Sequence, residues 1–415
     1  MNNRRAIILV MDSVGIGEAH DASRYADTGA DTLGHIVEAA AAGRADRPGL
    51  RQGPLELPNL AALGLAACAR ASRGAPLASN LGAEAGPHAA YGYAAPASAP
   101  KGSTGGHWEI AGLPIARDWG YFGRDPQQPY PAGLLDRLID SCGLAGVIEV
   151  GRASGTEVIA RHGEAHRQSG RPIVYTSADS VLQIAAHEAA FGLDRLFEVC
   201  RVARGLCDEY RIARVIARPF VGESAEDFTR TENRRDFAMP PHEQTLLDRF
   251  YQAGTQVITI GKIGDLFAHR GISQEYPVTE LDAVFDQTLA SLHEPDRPTL
   301  IFVNFCDFDS KYGHRRDVIG YAHELERFDR RLPEVRAALA DGDLLIVTAD
   351  HGNDPTFSGS DHTREYVPVL MAGAGITGGD FGRRATFADI GATAARYLGL
   401  AESGAGQPIA VESKE

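Results

Sequence analysis

Six side chains in four short segments have the types and spacing of a metal centre. The run "AIILVMD" closes on Asp12, and "DFDSKYGH" places His314 five residues after Asp309. "TADHG" sets Asp350 beside His351, and "SGSDHT" adds His362 eleven residues further on. Three carboxylates and three imidazoles make a mixed oxygen and nitrogen donor set. Such a set suits Mn²⁺ or Zn²⁺ better than Ca²⁺, which prefers all-oxygen shells. Six protein ligands are too many for one catalytic ion that keeps an open position. They suit two ions roughly 4 Å apart, the geometry that clamps a phosphoryl group. Taken singly, each Asp reads equally well as a solvated strand end and each His as a satisfied structural ring. The reading rests on the set.

A two-metal site for phosphoryl transfer needs something to attack phosphorus, and a hydroxyl between two cations loses its proton easily. The stretch "PKGSTGGHWEIAG" (residues 100–112) offers Ser103 and Thr104 among glycines, ahead of a bulky anchor, His107-Trp108-Glu109. Glycines let a backbone come close to metal and phosphate. Alone, a Ser-Thr pair among glycines is an ordinary turn; beside the ligand set it reads as a loop that holds out one hydroxyl as nucleophile.

The elements that must position these groups are legible in outline. "AIILVMD", "LIFVNFCDFD" and "LLIVTAD" are continuous apolar runs, the pattern of buried parallel strands, and each ends in Asp. In open α/β sheets the functional crevice lies outside the carboxyl ends of the strands, so the aspartates should meet on one edge. Residues 119–242 behave differently, with strand-like "RPIVYTS" and "RIARVIARPF" between Pro- and Gly-rich borders, and are read as an insertion. The fold class is therefore α/β. A core of residues 1–118 and 243–415 carries a mainly parallel sheet flanked by helices, interrupted by an α+β domain. The Ala-, Gly- and Pro-rich segment 36–100 is placed only loosely.

Composition narrows the function classes. At 415 residues the chain is long enough for two domains, and 44% hydrophobic with 23% charged residues is ordinary for a globular protein. A net charge of −14 argues against nucleic acid as a partner. No apolar run reaches membrane-spanning length, and the opening "MNNRRAIILVMDSVGIG" is read as a strand rather than a leader. Five scattered cysteines without a CxxC pair fit reduced thiols and a cytoplasmic setting.

Longer stretches carry a resemblance. "MDSVGIGEAHDASRYADTGADTLGHI", "GHWEIAG", "ASGTEVIARHGEAH", "IVYTSADSVLQIAAHE", "IARPFVGE", "FTRTENRRDF", "GKIGDLFAHRGI", "NFCDFDSKYGHRRD" and "TADHGNDPT" follow one another from end to end. In these the chain resembles the bacterial phosphopentomutase family of the alkaline phosphatase superfamily. The resemblance implies a metal-bearing core with an inserted cap. It also implies interconversion of ribose 1-phosphate (or its 2-deoxy form) and ribose 5-phosphate through a phosphorylated enzyme. Two divalent ions, most commonly Mn²⁺, and a sugar bisphosphate activator such as glucose 1,6-bisphosphate come with it; no obligate protein partner does. One metal site would correspond to Asp309, His314 and His362 and the other to Asp12, Asp350 and His351, with the nucleophile between them. Asp179 would contact the sugar, and Arg218, Arg234 and Lys262 would hold the distal phosphate.

The departures concentrate around the hydroxyls. The family usually reads "GKDT", then one residue, then Thr or Ser before "GHWE". Counting back from His107, this chain has Gly102 for the Asp, Ser103 for the Thr and Gly105 for the second hydroxyl, and Ala189 replaces a Glu after "AAHE". This register favours Ser103 as nucleophile, with Thr104 as the alternative. The departures leave open a phosphomutase or phosphatase acting on a different sugar phosphate. A silent sugar-phosphate-binding protein has no need of the complete ligand set.

Overall fold

The computed structural model describes residues 4–123, 125–177, 180–293, 297–373, 376, 378–401 and 404–410. The chain divides into two compact units, Met1–Arg117 with Pro241–Glu415, and Asp118–Pro240.

The first unit is built on an eight-stranded sheet. The strand Arg5–Met11 lies at its middle, parallel to Thr299–Phe305 on one side and to Asp343–Thr348 on the other. Gln256–Ile260 and Gln274–Tyr276 continue the parallel order outward. Beyond Asp343–Thr348, Val367–Gly373 runs antiparallel, followed by Ala90–Ala94 and Gly379–Arg384. The three apolar runs are wholly buried strands, as their composition predicts, because helices cover both faces of a parallel sheet. The α/β architecture with a mainly parallel sheet is therefore present.

Register decides where the aspartates go. Met11 pairs with Phe305 and Val10 with Thr348, so the three strands end level with one another. The residues that follow them, Asp12, Asp309 and Asp350, leave the sheet at its carboxyl edge. The segment 36–100 supplies the helix Leu65–Arg73 and the strand Ala90–Ala94.

The second unit is a separate mixed sheet. Ile148–Arg152 pairs parallel with Ile173–Thr176, which runs antiparallel to Val181–His187; Arg214–Val221 lies parallel to the latter. Thr229–Arg230 and Arg235–Ala238 add antiparallel pairs to Arg214–Val221. Alternation along the strands gives the sheet two apolar faces. Val174, Leu182, Ile184 and Ala217 pack under the helices Leu134–Cys142 and Leu193–Asp208. Ile173, Tyr175, Ala185 and Phe220 pack under Gly155–Ser169. This is an α+β unit.

Candidate metal centre

Each ligand is placed by a different local device. Asp12 follows directly from the central strand and is fully buried. Its neighbour Ser13 has φ 74°, the left-handed region that side chains other than glycine rarely adopt. That turn lets the Ser13 amide donate to Asp350 Oδ1 at 3.1 Å. Asp309 lies in a π-helical turn, Phe308–Gly313, and His314 caps it. The wide turn brings His314 Nε2 to 3.2 Å from Asp309 Oδ2, and such turns often mark functional sites.

Two triads result. The ligand atoms of Asp309, His314 and His362 lie within 4.8 Å of one another, as do those of Asp12, Asp350 and His351. The triads adjoin, since the rings of His351 and His362 are 4.3 Å apart. His351 Nε2 is 3.2 Å from Asp12 Oδ1 and 3.3 Å from Asp350 Oδ2.

The donor chemistry fits divalent cations. Three carboxylates, from Asp12, Asp309 and Asp350, are at most 4% exposed. Asp350 Oδ2 makes no hydrogen bond of normal geometry, although His107 Nδ1 lies 3.0 Å and His351 Nε2 3.3 Å from it, and a buried carboxylate oxygen so placed favours a cation. His314 Nδ1 donates to the Ser360 carbonyl at 2.8 Å and His351 Nδ1 to the Gly352 carbonyl at 3.0 Å. Both rings are thereby oriented with Nε2 toward the carboxylates, where a metal would displace any proton on it, the usual outer support of a metal-binding imidazole.

Electrostatics agree. Burial opposes charge on His351, but Asp350 and Asp12 outweigh it and push its pKa up to about 10. Burial would raise Asp350, yet His351 and His107 bring it down to about 2. Burial and then His351 lower the pKa of His362, which keeps that ring neutral and ready to bind. A divalent cation would answer the same carboxylates that raise the pKa of His351.

The hydroxyl-bearing segment differs from its reading as a loop. Ser103–Ile110 is an α-helix, and Ser103 is its first residue. Glycine-rich sequence is a poor helix former, but contact overrides propensity here. A side chain at Gly106 would put its Cβ 2.1 Å from the Asp350 carbonyl oxygen, and one at Gly105 2.9 Å from that of Pro100. Small residues let the helix lie against the Asp350 backbone. Gly102 precedes it with φ 96°. Glu109 and Trp108 hold the far end as an anchor, Glu109 accepting from the amides of Ala97 and Phe387, at 2.9 and 2.8 Å, and Trp108 donating to the Leu266 carbonyl at 2.8 Å.

Ser103 Oγ stands 3.4 Å from Asp12 Oδ1 and 3.3 Å from His351 Nε2. The Thr104 hydroxyl makes no hydrogen bond to any of the six ligands. The amides of Ser103 and Thr104, at the positive end of the helix, favour negative charge where the Ser103 hydroxyl sits.

Sequence reading missed three polar supports. Asn304 donates through Nδ2 to Asp12 Oδ2 at 3.0 Å and approaches His107 Nε2 at 3.3 Å. His107 Nδ1 donates to the Ser103 carbonyl at 2.8 Å. Asn353 Nδ2 donates to Asp309 Oδ1 at 2.7 Å. Asn304 carried one signal: it is a lone amide inside an otherwise apolar strand.

The chain matches the metalloenzyme superfamily over residues 4–402. It is 56% identical over 396 residues to the phosphopentomutase of Chelativorans sp. (strain BNC1), covering 95% of this chain and 96% of that protein. Identity to the phosphopentomutase of Methylobacterium radiotolerans is 54%, covering 98% and 99%. For that of Legionella pneumophila (strain Paris) it is 53%, covering 95% and 97%. The chain belongs to the phosphopentomutase family. Among solved structures it is similar to the PH0037 protein of Pyrococcus horikoshii, at 15% identity and a TM-score of 0.49, covering 97% of this chain and 98% of that one.

Of the groups that the phosphopentomutase resemblance assigns to the sugar phosphate, Lys262 lies in the first unit, with Nζ 4.0 Å from Asp12 Oδ2. Arg218 and Arg234 lie in the second unit. Arg218 Nε donates to Gln183 Oε1 at 3.0 Å, and Arg234 pairs with Asp236 at 2.8 Å. Asp179 falls outside the described residues. Ala189 is exposed on the short helix Glu188–Phe191, and its neighbour Glu188 accepts from Thr231 and Asn233 instead.

Proposed function

We propose that the protein is a metal-dependent phosphopentomutase, interconverting ribose 1-phosphate or 2-deoxyribose 1-phosphate and ribose 5-phosphate through a phosphoserine at Ser103. The observation that carries this reading is the Ser103 hydroxyl, the one of the two adjacent hydroxyls that faces Asp12 and His351. Relatives named phosphopentomutase at over half identity across nearly the whole chain support the reaction class.

Asp309, His314 and His362 would hold one divalent ion and Asp12, Asp350 and His351 the other, with Mn²⁺ the proposed metal. Bound there, the ions would lower the pKa of the serine hydroxyl and neutralise charge building on the phosphoryl oxygens. The chain's own groups do the rest. His107 fixes the Ser103 backbone, and Asn304 fixes Asp12 beside it. The helix amides offer partial positive charge to the transferring group. Phosphorylated Ser103 passes its phosphoryl group to the free hydroxyl of the sugar, which becomes a bisphosphate. After the sugar turns round, Ser103 takes the other phosphate and the isomer leaves. A sugar bisphosphate such as glucose 1,6-bisphosphate would charge the serine initially.

Arg218, Arg234 and Lys262 are proposed to grip the distal phosphate, and Asp179 to contact the sugar. The unit Asp118–Pro240 is proposed to act as the cap that keeps the bisphosphate from escaping and water from the phosphoserine. The partner is a small sugar phosphate and the setting cytoplasmic; among the described residues no helix is long and apolar enough to cross a membrane. Purified protein with Mn²⁺ and either pentose phosphate tests the reading. Formation of the other isomer without free phosphate supports it, whereas release of inorganic phosphate alone makes the protein a phosphatase.

A further inference from the structure

Among the described residues, the second unit holds more positive charge on one sheet face than carboxylates paired with it. Arg218 pairs across the sheet with Ala185, and Arg230 with Phe220. Ala185, Phe220 and Tyr175 form one apolar cluster under the helix Gly155–Ser169, so both guanidinium groups rise from that face. Arg214 and Arg234 share the carboxylate of Asp236. Arg218 has Gln183 as its hydrogen-bond partner, and Arg230 forms no ion pair or hydrogen bond among the described residues.

Arg230 meets the wrong end of a helix. A Cβ added to Gly155, the first residue of Gly155–Ser169, would fall 2.0 Å from Arg230 Nη2 and 2.4 Å from the Tyr175 hydroxyl. The helix is 15 residues long, and Ser154 does not cap it through its side chain. A guanidinium at the positive end of a helix dipole is repelled rather than held. Tyr175 adds an independent sign: it is 0% exposed, and among the described residues its hydroxyl makes no hydrogen bond of normal geometry, with the Arg218 guanidinium alongside. Buried polar groups are normally satisfied. Burial, followed by the charge of Arg234, depresses the pKa of Arg218; Arg230 adds to this, and Tyr175 and Asp236 oppose it.

We propose that Arg230, Tyr175 and the N-terminus of Gly155–Ser169 complete, with Arg218 and Arg234, a phosphate-binding site on this face. The inference rests on the mutase reading for the identity of its ligand, the distal phosphate of the pentose. A dianion there would be met by guanidinium forks, a hydroxyl and free amides, the donor set that suits phosphate. It would also convert repulsion among the arginines into attraction. Arg230 and Tyr175 are thus binding residues for the substrate, and Gly155 is the residue whose lack of a side chain admits them.

Inorganic phosphate alone is the first probe, read as the thermal unfolding midpoint of the full-length metal-loaded protein. The wild-type midpoint rises with phosphate. In Arg230→Gln the phosphate needed for the same rise increases by about tenfold or more, and Tyr175→Phe shows a smaller change in the same direction. Without phosphate the Arg230→Gln midpoint equals or exceeds that of the wild type, because a repelled charge has gone. Kinetically, the KM for ribose 5-phosphate rises about tenfold while kcat changes little, and Arg230→Lys recovers part of the loss. A lower phosphate-free midpoint with an unchanged phosphate response makes Arg230 a structural residue and overturns the inference. Arg230-dependent phosphate protection in a protein that isomerises no pentose phosphate would keep the site and overturn the mutase reading instead.

Discussion

Asn304 donates through its amide to Asp12 Oδ2 at 3.0 Å, tying a strand interior to a metal-binding carboxylate 292 positions earlier in the chain. The second amide hydrogen points at His107 Nε2, 3.3 Å away. The opposite amide orientation would set Oδ1 against the carboxylate, so the network fixes this one. His107 then carries its proton on Nδ1, directed to the Ser103 carbonyl. Asn304 therefore bears on both the metal site and the nucleophile. Asn304→Ala should lower metal affinity and kcat by roughly 10–100-fold, as loss of an outer support typically does, with little change in KM. Metal titration with steady-state kinetics checks this, and wild-type values for both would remove Asn304 from the account.

Replacing a ligand should be harsher. Asp309→Asn or His351→Ala should abolish measurable turnover at limiting metal, since each removes charge stabilisation at the transition state. Chelator should silence the wild type, and added Mn²⁺ should restore it. Near-wild-type turnover in either variant would contradict a two-metal centre.

How much of this was legible varies with distance along the chain. The six ligands stand out because strands that end in Asp, and His next to Asp, are visible within short windows. The helix at Ser103 was not legible, because glycine argues against helix and the contacts that override it come from Asp350 and Pro100. Asn304 and His107 were hidden for the same reason: their roles consist of contacts with residues far away in sequence. In the second unit the family pattern drew attention to Arg218 and Arg234. Arg230, without an ion pair among the described residues, looked like any surface cation until the sheet register placed it.

Gly102 marks where this chain departs from the usual family pattern. Its φ of 96° is strained for any side chain, and a Cβ would lie 2.8 Å from the His362 ring. Gly102→Asp, although it restores the residue common in the family, should destabilise the protein by about 1–3 kcal/mol and weaken metal binding at His362. Denaturant unfolding and metal titration measure both. An unchanged stability and metal affinity would show that the backbone here can adopt the family's form.

Away from the ligands, His35 and Asp354 form a pair at 2.6 Å. The hydrogen bond to Asp354 raises the pKa of His35 above 6.5 despite burial. Burial pulls Asp354 the other way, but the bond to His35 brings it below 3.8. The pair's contribution is therefore fully present between about pH 4 and 6.5 and fades as pH rises through the folded pKa of His35. The His35 side chain is 31% exposed, so the contribution is about 1 kcal/mol. The stability difference between wild type and His35→Gln should be largest near pH 5–6 and shrink by pH 9. A difference independent of pH would mean that the ring acts by packing alone.

The central claim is that Ser103, and not its neighbour, carries the phosphoryl group. Its Oγ lies 3.4 Å from Asp12 and 3.3 Å from His351, while the Thr104 hydroxyl makes no hydrogen bond to the centre. The direct measurement is peptide mapping after incubation of the Mn²⁺-loaded protein with glucose 1,6-bisphosphate, run alongside the mutase assay. Phosphate should map to Ser103; Ser103→Ala should lose both phosphorylation and isomerisation, and Thr104→Ala should keep a measurable fraction of each. Phosphate on Thr104, or an active Ser103→Ala protein, would contradict the account.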